Sequence, residues 1–165
     1  MMKLFSIAAV VLIAAFGCKK ATDDTQSDFD KSVVVQGDHT KCKIDGPIPV
    51  NGNLIGIWTK VDWRETTDIQ YSTFLEFKNT ANSMEMAMMN YCTVKKIQRS
   101  ALASVSSPVL DRATSLTILQ SLSKTTNETI GGTPISCDVA ITAGTYLYQF
   151  DGACLVVEGD YYIRK

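Results

Sequence analysis

Met84, Met86 and Met88, with Met89 beside them, are the residues of this chain whose spacing most readily suggests chemistry. On a strand, side chains two apart share a face, so three thioethers would stand on one side. Thioether sulfur is a soft ligand suited to Cu(I); it is also an adaptable filler of cores and cavities. The run M-E-M-A-M-M has no histidine near it, which favours the lining of a core or cavity over a copper carrier. The single histidine, His39, sits in D-H-T-K-C with Cys42. Two ligands do not fix a metal, so a loop histidine is expected and no metal site. A Ser-His-Asp or Cys-His relay needs a histidine against its nucleophile, and His39 precedes the strand-rich region. No catalytic residue and no cofactor are expected, and the chain reads as non-enzymatic. Asp62, Glu65 and Asp68 surround Trp63 and Arg64 in what reads as a solvated loop, placed to rim an open end.

Something must place these residues, and the first such feature is an address. Met1–Cys18 reads MMKLFSIAAVVLIAAFGC: one charge at Lys3, an apolar run from Ile7 to Phe16, then Gly17 and a cysteine. That is the layout of an export signal, too short for a span of about 20 apolar residues. It resembles a bacterial lipoprotein signal: Gly17-Cys18 matches the end of the lipobox, while Ala15 and Phe16 depart from the usual leucine and small residue. The resemblance implies that residues 1–17 are removed and that Cys18 carries lipid on its sulfur and its amino group. Stable anchoring takes more than one acyl chain, which such a cysteine supplies. An ordinary signal cut nearby, releasing a soluble protein, is the alternative. Lys19, standing where an aspartate retains many lipoproteins in the inner membrane, implies the outer membrane. Residues 18–32 are polar and read as a flexible tether. With 16 basic and 17 acidic residues and no basic stripe, nucleic acid is not an expected partner.

Residues 33–165 read as one domain. A strap containing G-P-I-P-V-N-G-N at 46–53 leads into strands. Ile55–Val61 is a predicted strand. In 69–78, Ile69, Tyr71, Thr73, Leu75 and Phe77 alternate against mostly polar neighbours, the period of a half-buried strand. A turn over 79–83 leads to a return strand at 84–93, where a short helix is also admissible. Residues 94–107 have a helical start and a serine-rich end, and Pro108 would stop a helix. A hairpin or bend is expected around Asp111–Thr114, and a weak edge strand over 124–130, closed by Gly131-Gly132. The last stretch is a meander, with two-residue turns at Ala143-Gly144 and Asp151-Gly152. That register sets Phe150 opposite Ala153 and Cys137, and gathers Cys137, Val139, Ile141, Tyr146, Tyr148, Phe150, Ala153, Leu155 and Val157 on the inner face.

With Cys18 lipidated, Cys42, Cys92, Cys137 and Cys154 remain, an even number in an oxidising compartment. Cys137 and Cys154 fall on opposite faces of the meander, roughly 10 Å apart across strands spaced ~4.8 Å, beyond disulfide reach. Two connectivities survive. Cys92 shares its side with the alternating methionines, so Cys92–Cys137 inside and Cys42–Cys154 pinning the strap outside is the preferred pairing.

Gly56-Ile57-Trp58 at the head of the first strand resembles the G-x-W that opens lipocalins, and the final strands resemble those of bacterial lipocalin-like domains. The resemblance implies that Trp58 closes one barrel end beneath an arginine near the last strand, the position held by Arg164. The resulting expectation is all-β: a small antiparallel lipocalin-like barrel behind a signal peptide and tether. Its role would be to bind a small apolar or amphipathic ligand lined by Met84, Met86, Met88, Tyr146, Tyr148 and Phe150. The alternative is a filled barrel acting as an interaction module of the envelope.

Overall fold

The computed structural model describes residues 31–43 and 53–165. The signal, Cys18, the tether up to residue 30 and the Pro/Gly segment at 46–52 lie outside the described residues. The described residues form twelve strands and, between the first two, one short 3-10 turn, His39–Cys42: β1 Val33–Val35, β2 Gly56–Lys60, β3 Trp63–Glu65, β4 Ile69–Asn79, β5 Met84–Val94, β6 Arg99–Asp111, β7 Ser115–Ile118, β8 Leu122–Ile130, β9 Thr133–Ile141, β10 Gly144–Asp151, β11 Cys154–Val157 and β12 Asp160–Arg164.

Eight of them close a barrel. Antiparallel ladders run β2–β4–β5–β6–β7–β10–β11–β12, and β12 returns to β2 through Tyr162↔Lys60 and Arg164↔Trp58. Every barrel strand is therefore hydrogen-bonded on both sides, which removes the exposed edges of an open sheet. This is the small antiparallel, lipocalin-like barrel expected from the strand pattern. Inward positions on alternate residues form its core, with Leu54, Trp58, Leu75, Phe77, Leu116 and Leu155 all buried. Each such side chain contributes about 1.5–3 kcal/mol through burial.

The strands differ in length, and this shapes the rest of the molecule. β4, β5 and β6 run 11, 11 and 13 residues, whereas β7 and β11 have four. The far halves of the long strands project beyond the barrel with an apolar inward face: Ile69, Tyr71, Cys92, Val94, Ala101 and Ala103. The β8–β9 hairpin covers that face with Ile135, Cys137 and Val139, forming a second core. Its turn has Gly131 at φ 58° and Gly132 at φ 82°, the paired positive values a tight two-residue hairpin turn needs.

Several expectations are corrected. Ala143-Gly144 does not turn a hairpin: β9 pairs with β8, and β10 pairs with β7 through Tyr146↔Leu116 and Gly144↔Ile118. The segment between β7 and β10 is thus an insertion into a barrel hairpin. The Asp151-Gly152 turn is displaced by one residue. Asp151 pairs with Cys154 and Phe150 with Leu155, leaving Gly152 (φ 58°) and Ala153 at the bend. Cross-strand partners shift by two there, so the inward set on β10 and β11 keeps its face.

Residues 94–107 contain no helix beyond a turn; from Arg99 they form β6. Ala101 and Ala103 have the small side chains of a good helix former, but here they let β9 approach the inward face closely. Pro108 lies inside β6. Its carbonyl accepts the Leu119 amide on the β7 side, so its missing N–H also faces that side, where β7 has just ended. The acidic segment after β2 is likewise not a free loop, because Trp63–Glu65 pairs with both β1 and β4.

Candidate functional site

The two barrel ends are built differently. At one end Leu54 enters, and its carbonyl accepts the Trp58 Nε1–H at 2.7 Å. The Arg164 guanidinium stands over the Trp58 ring, 5.6 Å from its centroid, and donates to the Ile55 carbonyl at 2.7 Å. Gly56, two residues before Trp58 on the same face, leaves room for that guanidinium. A Cβ there would stand 3.3 Å from Arg164 Nε and Nη2, and the glycine holds φ 132°. Phe150 and Tyr148 pack behind Trp58, with ring centroids 5.9 Å from Trp58 to Phe150 and 6.0 Å from Phe150 to Tyr148. This end is filled.

The other end is hollow. A cavity of about 250 Å³ lies between Leu75, Met86, Met88, Leu116, Ile118 and Tyr162, with Tyr146, Thr142, Glu158 and Asp160 toward its mouth. Of the six residues expected to line a cavity, Met86, Met88 and Tyr146 do so. Met84, Tyr148 and Phe150 instead belong to the packed core toward the filled end. The Tyr148 hydroxyl donates to Asp111 Oδ1 at 2.8 Å. Burial, that hydrogen bond and the carboxylate's charge all push this phenol far above the usual tyrosine range. The Tyr146 hydroxyl is also engaged, donating to the Thr142 carbonyl at 2.8 Å.

Tyr162, Glu158 and Asp160 were missing from the expected lining. A signal existed for Tyr162: in D-Y-Y-I-R it alternates with Arg164, which the G-x-W resemblance already directs inward. The position of the acidic pair depends on the tight β11–β12 turn, where Glu158 adopts φ 49° and Gly159 φ 88°. Glu158 Oε1 accepts the Leu147 amide at 2.8 Å, a bond that helps hold a non-glycine residue in this conformation. Tyr162 is 5 % exposed. Burial, then the nearby Asp160 charge, drive its phenol well above the ordinary value.

Beside this cavity, and sharing Asp160 with it, lies a polar recess of about 270 Å³ lined by Lys60, Asp62, Tyr71 and Thr73 among others. Lys60 Nζ sits 2.7 Å from Asp160 Oδ2. Asp62 Oδ1 accepts from the Gly37 amide at 2.9 Å and lies 2.8 Å from His39 Nε2. Burial raises the Asp62 carboxyl, but those two partners outweigh it and hold it below the usual range. His39 therefore serves to fasten the N-terminal strap, and its ring also meets Tyr161 edge-on at 5.1 Å. A larger concavity of about 650 Å³ lies elsewhere, between β1, the β3–β4 turn and the start of β9. Its Lys95 is committed to Glu65 and the Thr66 carbonyl.

Both disulfides join the strap or the hairpin to the barrel: Cys42–Cys154, and Cys92–Cys137. Among the described residues no cluster of three or more His, Cys, Asp or Glu could hold a metal, and no helix is long and apolar enough to cross a membrane. The fold and its hollow end place the chain among closed, eight-stranded up-and-down barrels with a cavity at one mouth. Searches of protein-family models, curated proteins and solved structures each returned no match.

Proposed function

We propose that the chain is a bacterial envelope lipoprotein, anchored in the outer membrane through lipid on Cys18, whose barrel binds a small apolar or amphipathic molecule without transforming it. The apolar cavity beside Met86 and Met88 carries the binding part of this reading. Its size narrows the ligand. Scaling from the ~150 Å³ that accommodates benzene, it holds roughly ten non-hydrogen atoms. It falls below the ~300 Å³ at which drug-sized sites begin, so a long acyl chain does not fit inside. The Cys18 anchor rests on the resemblance of residues 1–18 to a lipoprotein signal.

Titrating methyl-labelled protein with hexan-1-ol tests the binding reading. Saturable shifts of the Met86 and Met88 methyls are expected while Met84 stays still, and unmoved methyls at saturation would refute it. Labelled palmitate in a bacterial host should enter the wild-type chain and not the Cys18→Ser variant. A second reading, an interaction module of the envelope, is favoured by outward leucines on and beside β6, β7 and β10: Leu110, Leu119 and Leu147, the last 66 % exposed. One dominant crosslinked protein in intact cells, lost on Leu147→Glu, would support it.

A further inference from the structure

Within the cavity wall, Tyr162 is set apart by its hydroxyl. The residue is 95 % buried, against 5 % exposed, it lines the cavity, and among the described residues its hydroxyl has no hydrogen-bond partner. Tyr146, the other phenol on the lining, has already spent its proton on the Thr142 carbonyl. A hydroxyl left unpartnered on a cavity wall is open to a ligand's polar group.

The charges at the mouth select the sign of that group. Among the described residues, the only ionisable side chains on the lining besides the two phenols are Glu158 and Asp160, and no lysine, arginine or histidine is among them. Each carboxylate has one oxygen occupied: Asp160 Oδ2 by Lys60 at 2.7 Å and Glu158 Oε1 by the Leu147 amide at 2.8 Å. The other oxygen of each has no hydrogen bond among the described residues. Lys60 offsets one of the two negative charges and belongs to the adjoining polar recess, so the mouth keeps an excess of negative charge. The chain as a whole carries a net charge of only −1, too little for a general attraction of cations to mimic a local preference.

Resting on the reading that this cavity is a ligand site, the structure assigns it to a small protonated primary amine with an apolar body of about six carbons. The ammonium group donates to the Tyr162 phenolic oxygen and to the open oxygens of Glu158 and Asp160. The hydrocarbon lies against Met86, Met88, Leu116 and Ile118. A carboxylate of the same size would meet like charge at the mouth and lose. Alkylamines are protonated at neutral pH, as lysine is, and the phenol stays neutral there and able to accept.

The test uses three probes of one length, hexylamine, hexan-1-ol and hexanoate, titrated at pH 7 against the Met86 and Met88 methyl resonances of the full mature chain. Hexylamine is expected to bind at least tenfold tighter than hexanoate, with the alcohol between. Tyr162→Phe and Glu158→Gln should each shrink the amine's advantage over the alcohol, and an advantage unmoved by both would overturn the assignment; Glu158→Gln keeps an oxygen for the Leu147 amide and so keeps the turn. If hexanoate binds as well as or better than hexylamine, the amine assignment falls and the ligand-binding reading stands. If the alcohol and the amine both leave the methyls unmoved, the binding reading itself falls, and this assignment with it.

Discussion

Arg164 holds one end of the barrel shut with two contacts, its stack on Trp58 and its bond to the Ile55 carbonyl. Truncating Arg164 to Ala should cost about 0.5–2 kcal/mol for the lost cation–π contact. Gly56→Ala should cost about 1–3 kcal/mol, because a side chain is forced into φ 132°, and its Cβ also crowds the guanidinium. In the double variant the crowding is gone and the strain remains, so urea denaturation should show losses that sum to less than the two singles. Purely additive losses would mean that glycine and arginine do not share a site. The two buried tyrosines give a prediction of opposite kind. Tyr148 and Tyr162 are raised well above the ordinary 10.0 in the folded chain, so the unfolded chain releases those protons first as pH rises. Stability should therefore be flat in these groups below pH 10 and fall above it, by up to about 1.4 kcal/mol per pH unit for each phenol. Tyr148→Phe or Tyr162→Phe should make that alkaline slope shallower, as read from urea midpoints between pH 9 and 11. At this scale the sequence was informative about Trp58 and Arg164 and, through alternation with Arg164, about the face Tyr162 takes, but silent about the Tyr162 hydroxyl, whose importance lies in a bond it does not make.

Strand alternation discloses which face a residue takes but not which strand it meets. The inward sets on β4, β5, β10 and β11 were legible for that reason, and the two disulfide pairings with them. Placing β9 beside β10 failed because a turn-like Ala143-Gly144 is indistinguishable in sequence from the return of an inserted hairpin. The Cys137–Cys154 pairing was set aside on that mistaken adjacency. Cys137 in fact lies over β5 and β6, far from β11 in the sheet order, which excludes the same bond for a different reason. Residues 94–107 were ambiguous because Ala101 and Ala103 obey a tertiary demand, space for β9, that local propensity does not register. This arrangement makes Cys92–Cys137 the fastener of the hairpin. It spans 45 residues, for which chain entropy assigns about 4 kcal/mol. The Cys92→Ala/Cys137→Ala variant should lose stability of that order. Hydrogen exchange should locate the loss, with β8 and β9 amides deprotected first and β11 and β12 amides still slow. Uniform loss of protection would show that hairpin and barrel open as one unit.

Viewed whole, the molecule is a barrel closed by its own ladders with two additions tied on. Neither disulfide joins two barrel strands: Cys42–Cys154 fastens the strap to β11, and Cys92–Cys137 fastens the inserted hairpin to β5. Closure therefore depends on β12 meeting β2 and β4 meeting β5, whereas the cross-links govern what covers the barrel. The additions are not equivalent with respect to the cavity. The end of β9 and the residue after it, Ala140 to Thr142, form part of its wall, while the strap touches the neighbouring polar recess through Val34 and Asp62's partners, His39 and Gly37. Loosening the hairpin should open the apolar wall; loosening the strap should leave it standing. Titrated with hexan-1-ol, the Cys42→Ala/Cys154→Ala variant should bind within about twofold of wild type, and the Cys92→Ala/Cys137→Ala variant should lose tenfold or more. The reverse order would mean that the strap, not the inserted hairpin, shapes the hollow end of the barrel.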